Sequence, residues 1–312
     1  MVKPKSAILT GGLGNQLFQI AAVLGSASGK VQLRADIGYP RQTNGMPDCL
    51  LLSLPDNVEI TQVPRFFELP ARAAGLLLRG GLYKNPKGIK TYFDGLAGYF
   101  ARLLLQILSL RRLKIFVSQD VGFGGPLSCD VDLLIGYFQS WKYSENSALQ
   151  NILMTMMPKN DSKQYSKLLN RIRQEKPLIL HIRLGDYEEQ NQFGVLPEQY
   201  YLNAIREIKV NEGKPIWIFT NDAKRCGKLY MELLKLNAEV VEDQELDSGQ
   251  VLNLMRYGSA FIIANSSYSW WAAKLRFDES APVVAPSPWF RKMPEPRDLI
   301  PEGWKRVDSG WN

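Results

Sequence analysis

The chain has 312 residues, 45% hydrophobic and 22% charged, which is enough material for one large or two medium domains with a sizeable core. A net charge of +7 favours anionic partners, but no zinc-finger spacing or aromatic RNA-binding signature accompanies it, which argues against nucleic acid. The 3 cysteines, Cys49, Cys129 and Cys226, are odd in number and far apart, excluding a disulfide framework or metal knuckle and pointing to a reducing compartment.

The start, Met-Val-Lys-Pro-Lys, runs into a strand-like segment, Ala7–Thr10, rather than a signal peptide. No apolar run reaches membrane-spanning length, so a cytoplasmic protein is expected. Gly11-Gly12-Leu13-Gly14-Asn15-Gln16 then turns into a helix with Leu17, Ile20, Ala21 and Leu24 on its apolar face. Strand, glycine-rich turn and helix together point free backbone N–H groups at an anion. The glycine spacing meets neither the dinucleotide fingerprint nor a P-loop, which needs Lys-Ser/Thr where this chain has Asn15-Gln16. Asn15 and Gln16 at the tip are placed to bind ligand or to cap the helix.

Val31–Asp36 reads as a second strand, and turn residues dominate from Gly38 to Asn57. Basic residues crowd the stretch from Arg72 to Lys114, within which Leu96–Leu113 reads as an amphipathic helix. Two readings stand for it: a core helix with a solvated basic face, or a helix lying peripherally on an anionic membrane. Asp130 and Asp132 have the spacing of a carboxylate pair that holds a divalent cation, but they directly precede an apparent buried strand, Leu133–Phe138. They are read as strand-entry charges and no metal site is assigned.

After a polar helix and linker at 160–176, strands and helices alternate: strands at 178–183, 215–220, 239–242, 260–264 and 282–285, with helices at 198–209, 223–236, 249–257 and 268–277. That alternation implies a doubly wound parallel sheet, whose ligands bind outside the strand C-termini. The chain's only histidine, His181, lies in Leu178–Tyr187, with Arg183 and Asp186 close behind it. Asn221-Asp222 and Asn265-Ser266-Ser267 follow two further strands. Arg183 offers a forked donor for phosphate, Asp222 an acceptor for guanine, and Ser266 and Ser267 either a phosphate contact or a plain helix cap.

Several blocks together resemble the fucosyltransferases of glycosyltransferase family 11, chiefly bacterial α-1,2-fucosyltransferases. They are Gly11–Gln19, Gly136–Ser140, His181–Tyr187, Leu196-Pro197 with Tyr200-Tyr201, Phe219–Asp222 and Ser266–Ala273. Each block is a weak pattern, but their order and spacing are specific, and only residues 39–128 find no match. The resemblance implies a GT-B-like α/β fold of two facing Rossmann-like domains: residues 1–160 on the acceptor side with a basic helical insertion, and residues 161–312 holding the donor. It implies inverting transfer of L-fucose from GDP-fucose to a galactose hydroxyl of a glycan, as in O-antigen synthesis, with no cofactor or essential metal.

By the same resemblance Arg183 binds the diphosphate and stabilises the leaving GDP. His181, Asn221 and Asp222 lie toward the nucleotide, Ser266 and Ser267 contact phosphate, and the loop of Gly12, Gly14, Asn15 and Gln16 closes the cleft near sugar and acceptor. Asp186 is the nearest carboxylate for a general base, or else holds its loop by accepting backbone N–H bonds. The family motif often carries two consecutive arginines, whereas the second position here is Leu184, which extended backbone would turn away from Arg183. Two alternatives accompany this reading: an inverting transferase using another nucleotide sugar or linkage, and a non-catalytic binder of anionic glycans or membrane surface.

Overall fold

The computed structural model describes residues 4–35, 47–62, 114–118, 121–208, 213–241 and 245–311. The expected helix at Leu96–Leu113, and the basic region before Lys114, lie outside the described residues. The chain divides into two compact units, residues 1–156 with 296–299, and residues 157–295 with 300–312. Each is built on a parallel sheet. Two parallel-sheet α/β units in one chain make the GT-B-like class the sequence leads one to expect.

In the first unit the sheet order is β3-β2-β1-β5-β4, with β1 (Lys5–Leu9), β2 (Val31–Ala35), β3 (Val58–Gln62), β4 (Ile115–Val117) and β5 (Leu133–Ile135). Helix α1 (Leu13–Ser26) follows β1 and buries Leu17, Phe18, Ile20, Ala21 and Val23. The strand expected over Leu133–Phe138 ends three residues early, because Phe138 takes a left-handed φ of 53° that cannot continue a ladder. A helix that the sequence reading lacked, α2 (Ser147–Met154), starts where the Asn146 side chain accepts from the backbone N–H groups of Ala148 and Leu149.

The second unit opens with α3 (Lys163–Glu175), capped by Ser162. Its sheet has the order β11-β10-β9-β6-β7-β8, formed by β6 (Leu178–Ile182), β7 (Ile216–Thr220), β8 (Ala238–Val240), β9 (Ala260–Ile262), β10 (Val283–Ser287) and β11 (Lys305–Asp308). Counted within the unit this is the doubly wound order 3-2-1-4-5-6, with β6 as its first strand. All five residues of β6 are buried, as a central strand covered on both faces requires. Leu178, Leu180, Ile182 and Leu184 pack with Tyr200, Tyr201 and Ala204 of α5 (Glu198–Ile208) and with Cys226, Tyr230 and Leu233. Each such apolar side chain contributes about 1.5–3 kcal/mol by leaving water. On the other face α3 packs against α8 (Ser248–Met255), and Arg171 of α3 lies over the Trp217 ring at 4.7 Å.

The single helix expected over 223–236 is two, α6 (Ala223–Leu229) and α7 (Met231–Leu234). Tyr230 separates them with non-helical backbone while its buried hydroxyl donates to Leu196 O at 2.8 Å. Among the described residues no helix is long and apolar enough to cross a membrane.

Candidate functional site

In the second sheet, chain direction across the sheet reverses between β6 and β9, which lie side by side with Leu178 opposite Ala260 and Leu180 opposite Ile262. Peptide segments leaving the two strands diverge there and open a crevice at their C-terminal ends. Arg183, just after β6, is half-buried, and its guanidinium lies over the Tyr187 ring at 5.4 Å. Leu184 is fully buried in the core, so the two neighbours do point opposite ways, and a second arginine there would be driven into an apolar interior.

The turn after Arg183 is tightly specified. Gly185 has φ +65°, and a Cβ there would stand 2.9 Å from Asn221 Nδ2, so glycine is required on both counts. Asn221, just after β7, accepts from Leu184 N at 2.8 Å and donates to Leu184 O at 3.1 Å. One side-chain amide thereby replaces the ladder where β6 and β7 part. The short helix α4 (Asp186–Glu189) begins directly after this turn and is tied to α6 by the Glu188–Arg225 ion pair at 2.5 Å. Asp186 therefore opens that helix; its side chain is outside the described residues. Asp222 caps α6, accepting from Arg225 N at 3.0 Å.

After β9, Asn265 is buried and its side-chain amide donates to Phe193 O at 2.9 Å and Gly194 O at 3.1 Å. Ser266 is the N-cap of α9 (Ser267–Lys274) and accepts from Tyr268 N at 3.4 Å. The first turn of α9, with the positive end of its dipole, thus follows the C-terminal end of β9, the neighbour of the strand that leads into Arg183. His181 is buried one residue from the end of β6, its ring 6.0 Å from that of Tyr268. Burial, and then the Arg183 charge, push its pKa down to about 3, and Nδ1 has no hydrogen-bond partner among the described residues. His181 is therefore a neutral imidazole at physiological pH, with one ring nitrogen carrying a proton and the other free of it.

The first unit repeats the device between β1 and β5. Gly12 is the N-cap of α1, its carbonyl accepting from Asn15 N at 3.0 Å and Gln16 N at 3.1 Å, while Gly14 is buried in the helix's first turn. The Gln16 side chain is committed to the protein: it donates to Gly11 O at 2.8 Å and accepts from Cys49 N at 2.8 Å. Asn15 Oδ1 accepts from Gln139 Nε2 at 2.8 Å. Gln19, which the sequence singled out only as part of a block, is fully buried and bridges the two strand ends. It accepts from Thr10 N at 3.0 Å and donates to Gly136 O at 3.0 Å. Asp130 and Asp132 are held by Lys114, through its ammonium at 3.2 Å and its backbone N–H at 2.9 Å respectively. Among the described residues no group of three or more His, Cys, Asp or Glu side chains is placed to hold a metal ion.

The second unit gathers His181, Arg183, Asn221, Asp222, Ser266 and Ser267 along one sheet edge; Gly12, Gly14, Asn15 and Gln16 belong to the first unit. A sheet of this order, with an arginine after β6 and a helix N-terminus after β9, is a doubly wound α/β unit, and its reversal point is where sheets of this kind take their ligands. The model of glycosyl transferase family 11 matches residues 133–304, and the chain belongs to that family. An alpha-1,2-colitosyltransferase of Escherichia coli is 28% identical over 97% of this chain and 98% of its own length. The O-antigen biosynthesis glycosyltransferase WbnK of Escherichia coli is 39% identical, over 36% of this chain and 38% of its own. Among solved structures, fucosyltransferase NodZ from Bradyrhizobium aligns over 89% of this chain and 98% of its own at TM-score 0.48 and 14% identity.

Proposed function

We propose that this glycosyltransferase moves L-fucose from GDP-fucose to the 2-hydroxyl of a galactose in a surface glycan, with inversion at the anomeric carbon. The observation that carries the reading is Arg183 after β6 and the first turn of α9 after the neighbouring β9, on either side of the reversal point of a doubly wound sheet. In the transfer the anomeric C1–O bond to the diphosphate breaks with its electron pair leaving on GDP. The acceptor oxygen forms the new bond from the opposite face, and its proton passes to a base. Charge accumulates on the departing diphosphate, where a guanidinium and the free N–H groups of a helix terminus are the complementary donors. Each charge-assisted bond contributes roughly 1.5–3 kcal/mol.

Asp222 and neutral His181 are assigned to the nucleotide, Ser266 and Ser267 to phosphate, and the Gly12–Gln16 loop to sugar and acceptor. Asp186 is assigned the base, and near wild-type turnover of Asp186→Asn at saturating donor would remove it from that role. The 28% identical relative favours a second reading, in which the sugar is colitose, which lacks the 3-hydroxyl of fucose. Incubating the protein with GDP-fucose or GDP-colitose and galactose-terminated acceptors, with NMR of the product, decides between them. Arg183→Ala is expected to lower GDP affinity at least tenfold by calorimetry. Unchanged affinity, or turnover of neither donor, overturns the proposal.

A further inference from the structure

The Arg183 guanidinium does not lie on its strand end unsupported. Its carrier is Tyr187, four residues on and beyond the Gly185 turn, whose ring face lies 5.4 Å from the guanidinium carbon. Tyr187 is itself fixed at two points. Its hydroxyl donates to Asn265 O at 3.2 Å, and its ring stacks on Phe193 at 5.1 Å with 29° between the planes. Phe193 is fixed in turn: its carbonyl accepts from Asn265 Nδ2 at 2.9 Å and from Arg291 N at 3.2 Å, and its ring meets Phe290 at 5.4 Å. Cation, ring and second ring thus form a stack clamped to the end of β9, the strand that leads into α9.

We propose that Tyr187 is a positioning residue for the donor diphosphate, holding the Arg183 guanidinium toward the first turn of α9. The inference rests on the assignment of Arg183 to the diphosphate and adds the group that aims it. An arginine side chain has many rotamers, and a ring face beneath its planar cation removes most of them before the ligand arrives. The hydroxyl tie to Asn265 references that ring to the strand preceding the helix terminus, so both donor groups keep one geometry. The ring acts through Arg183 and needs no contact with the nucleotide.

The test compares GDP with guanosine by calorimetry, because only GDP carries the phosphates Arg183 would hold. Tyr187→Leu should weaken GDP by about three- to thirtyfold, the equivalent of about 0.7–2 kcal/mol for a cation–π contact, and leave guanosine within about twofold. Tyr187→Phe, which keeps the ring, should restore GDP affinity to within about threefold of wild type. Equal losses of GDP and guanosine would mean a merely structural role and overturn the proposal, as would an unchanged GDP affinity in Tyr187→Leu. Should Tyr187→Leu fail to fold, Tyr187→Met, of similar length without a ring face, carries the same expectations. Arg183→Ala separates the two levels: if it spares the GDP-to-guanosine ratio, the assignment of Arg183 fails. If it lowers that ratio while Tyr187→Leu leaves it unchanged, only the positioning role fails.

Discussion

Asn221 sits where a nucleotide contact is expected, yet its amide is already engaged at both ends with the backbone of Leu184, and that gives a sharp test. Asn221→Ala removes the acceptor for Leu184 N at 2.8 Å and the donor to Leu184 O at 3.1 Å. A net intramolecular hydrogen bond contributes about 0.5–1.5 kcal/mol, and the exposed position of this amide favours the lower half, so the pair contributes about 1–2 kcal/mol. In a unit of this size that loss lowers the melting temperature by roughly 2–8 °C. Asn221→Asp should cost at least as much, since a carboxylate keeps the acceptor but sets its second oxygen against the Leu184 carbonyl. Thermal melts followed by circular dichroism, with GDP titrations of each variant, supply both readouts. If Asn221→Ala melts within about 1 °C of wild type while GDP affinity falls tenfold, Asn221 is a ligand contact and the clamp argument is wrong.

Three further outcomes are expected. Gln19→Leu strips partners from two buried backbone groups, Thr10 N and Gly136 O, and should cost about 2–4 kcal/mol by urea denaturation; a loss under about 0.5 kcal/mol refutes the bridge. Leu184→Arg puts an unpaired cation in the core around Tyr200 and Tyr201, so it should unfold the second unit or destabilise it by about 3 kcal/mol or more. A stable variant with tighter GDP binding would show that this position can serve as the second arginine after all. His181 titrates near 6.5 when unfolded and about 3 when folded, so between those values the unfolded state carries the extra proton and stability falls as pH drops. The slope is about 1.4 kcal/mol per pH unit, the contribution is fully present above 6.5, and His181→Asn should flatten the curve by one proton. Identical urea midpoints across pH 3.5–6.5 for both proteins would contradict it.

The alternating half of the chain was legible in sequence because burial on both faces writes strands as uninterrupted apolar runs: β6, β7 and β9 appear within two residues of their expected bounds. Edge strands carry less of that signal. In β11 only Val307 is buried, and its Lys-Arg-Val-Asp sequence reads as a polar loop until β10 is there to pair with it. β3 lies next to a turn-rich segment and alternates polar with apolar, and β4 is three residues long. At the site, residue types revealed where polar groups collect but not which of them are occupied. Asn221, Gln16 and Gln19 look alike as amides beside turns, yet each is engaged with backbone groups contributed by distant sequence. The opposed directions of Arg183 and Leu184 were readable from strand alternation, whereas the ring beneath Arg183 was not, since the chain folds back through the left-handed turn at Gly185 to bring Tyr187 there.

The return of residues 296–299 to the first unit bears on how the protein is made. This segment supplies Arg297 O to Phe123 N at 2.9 Å and Asp298 O to Trp141 N at 3.0 Å and Ser140 Oγ at 2.8 Å, and its Asp298 carboxylate pairs with Lys142 at 3.0 Å. During synthesis, residues 1–156 leave the ribosome with those groups still unpaired. At about 5–20 residues per second, the missing piece arrives roughly 7–28 s later, after almost all of the second unit. The amino-terminal unit is therefore first to be translated but is completed only near the end, and a fragment cut at the boundary would keep its sheet and lack its last partner.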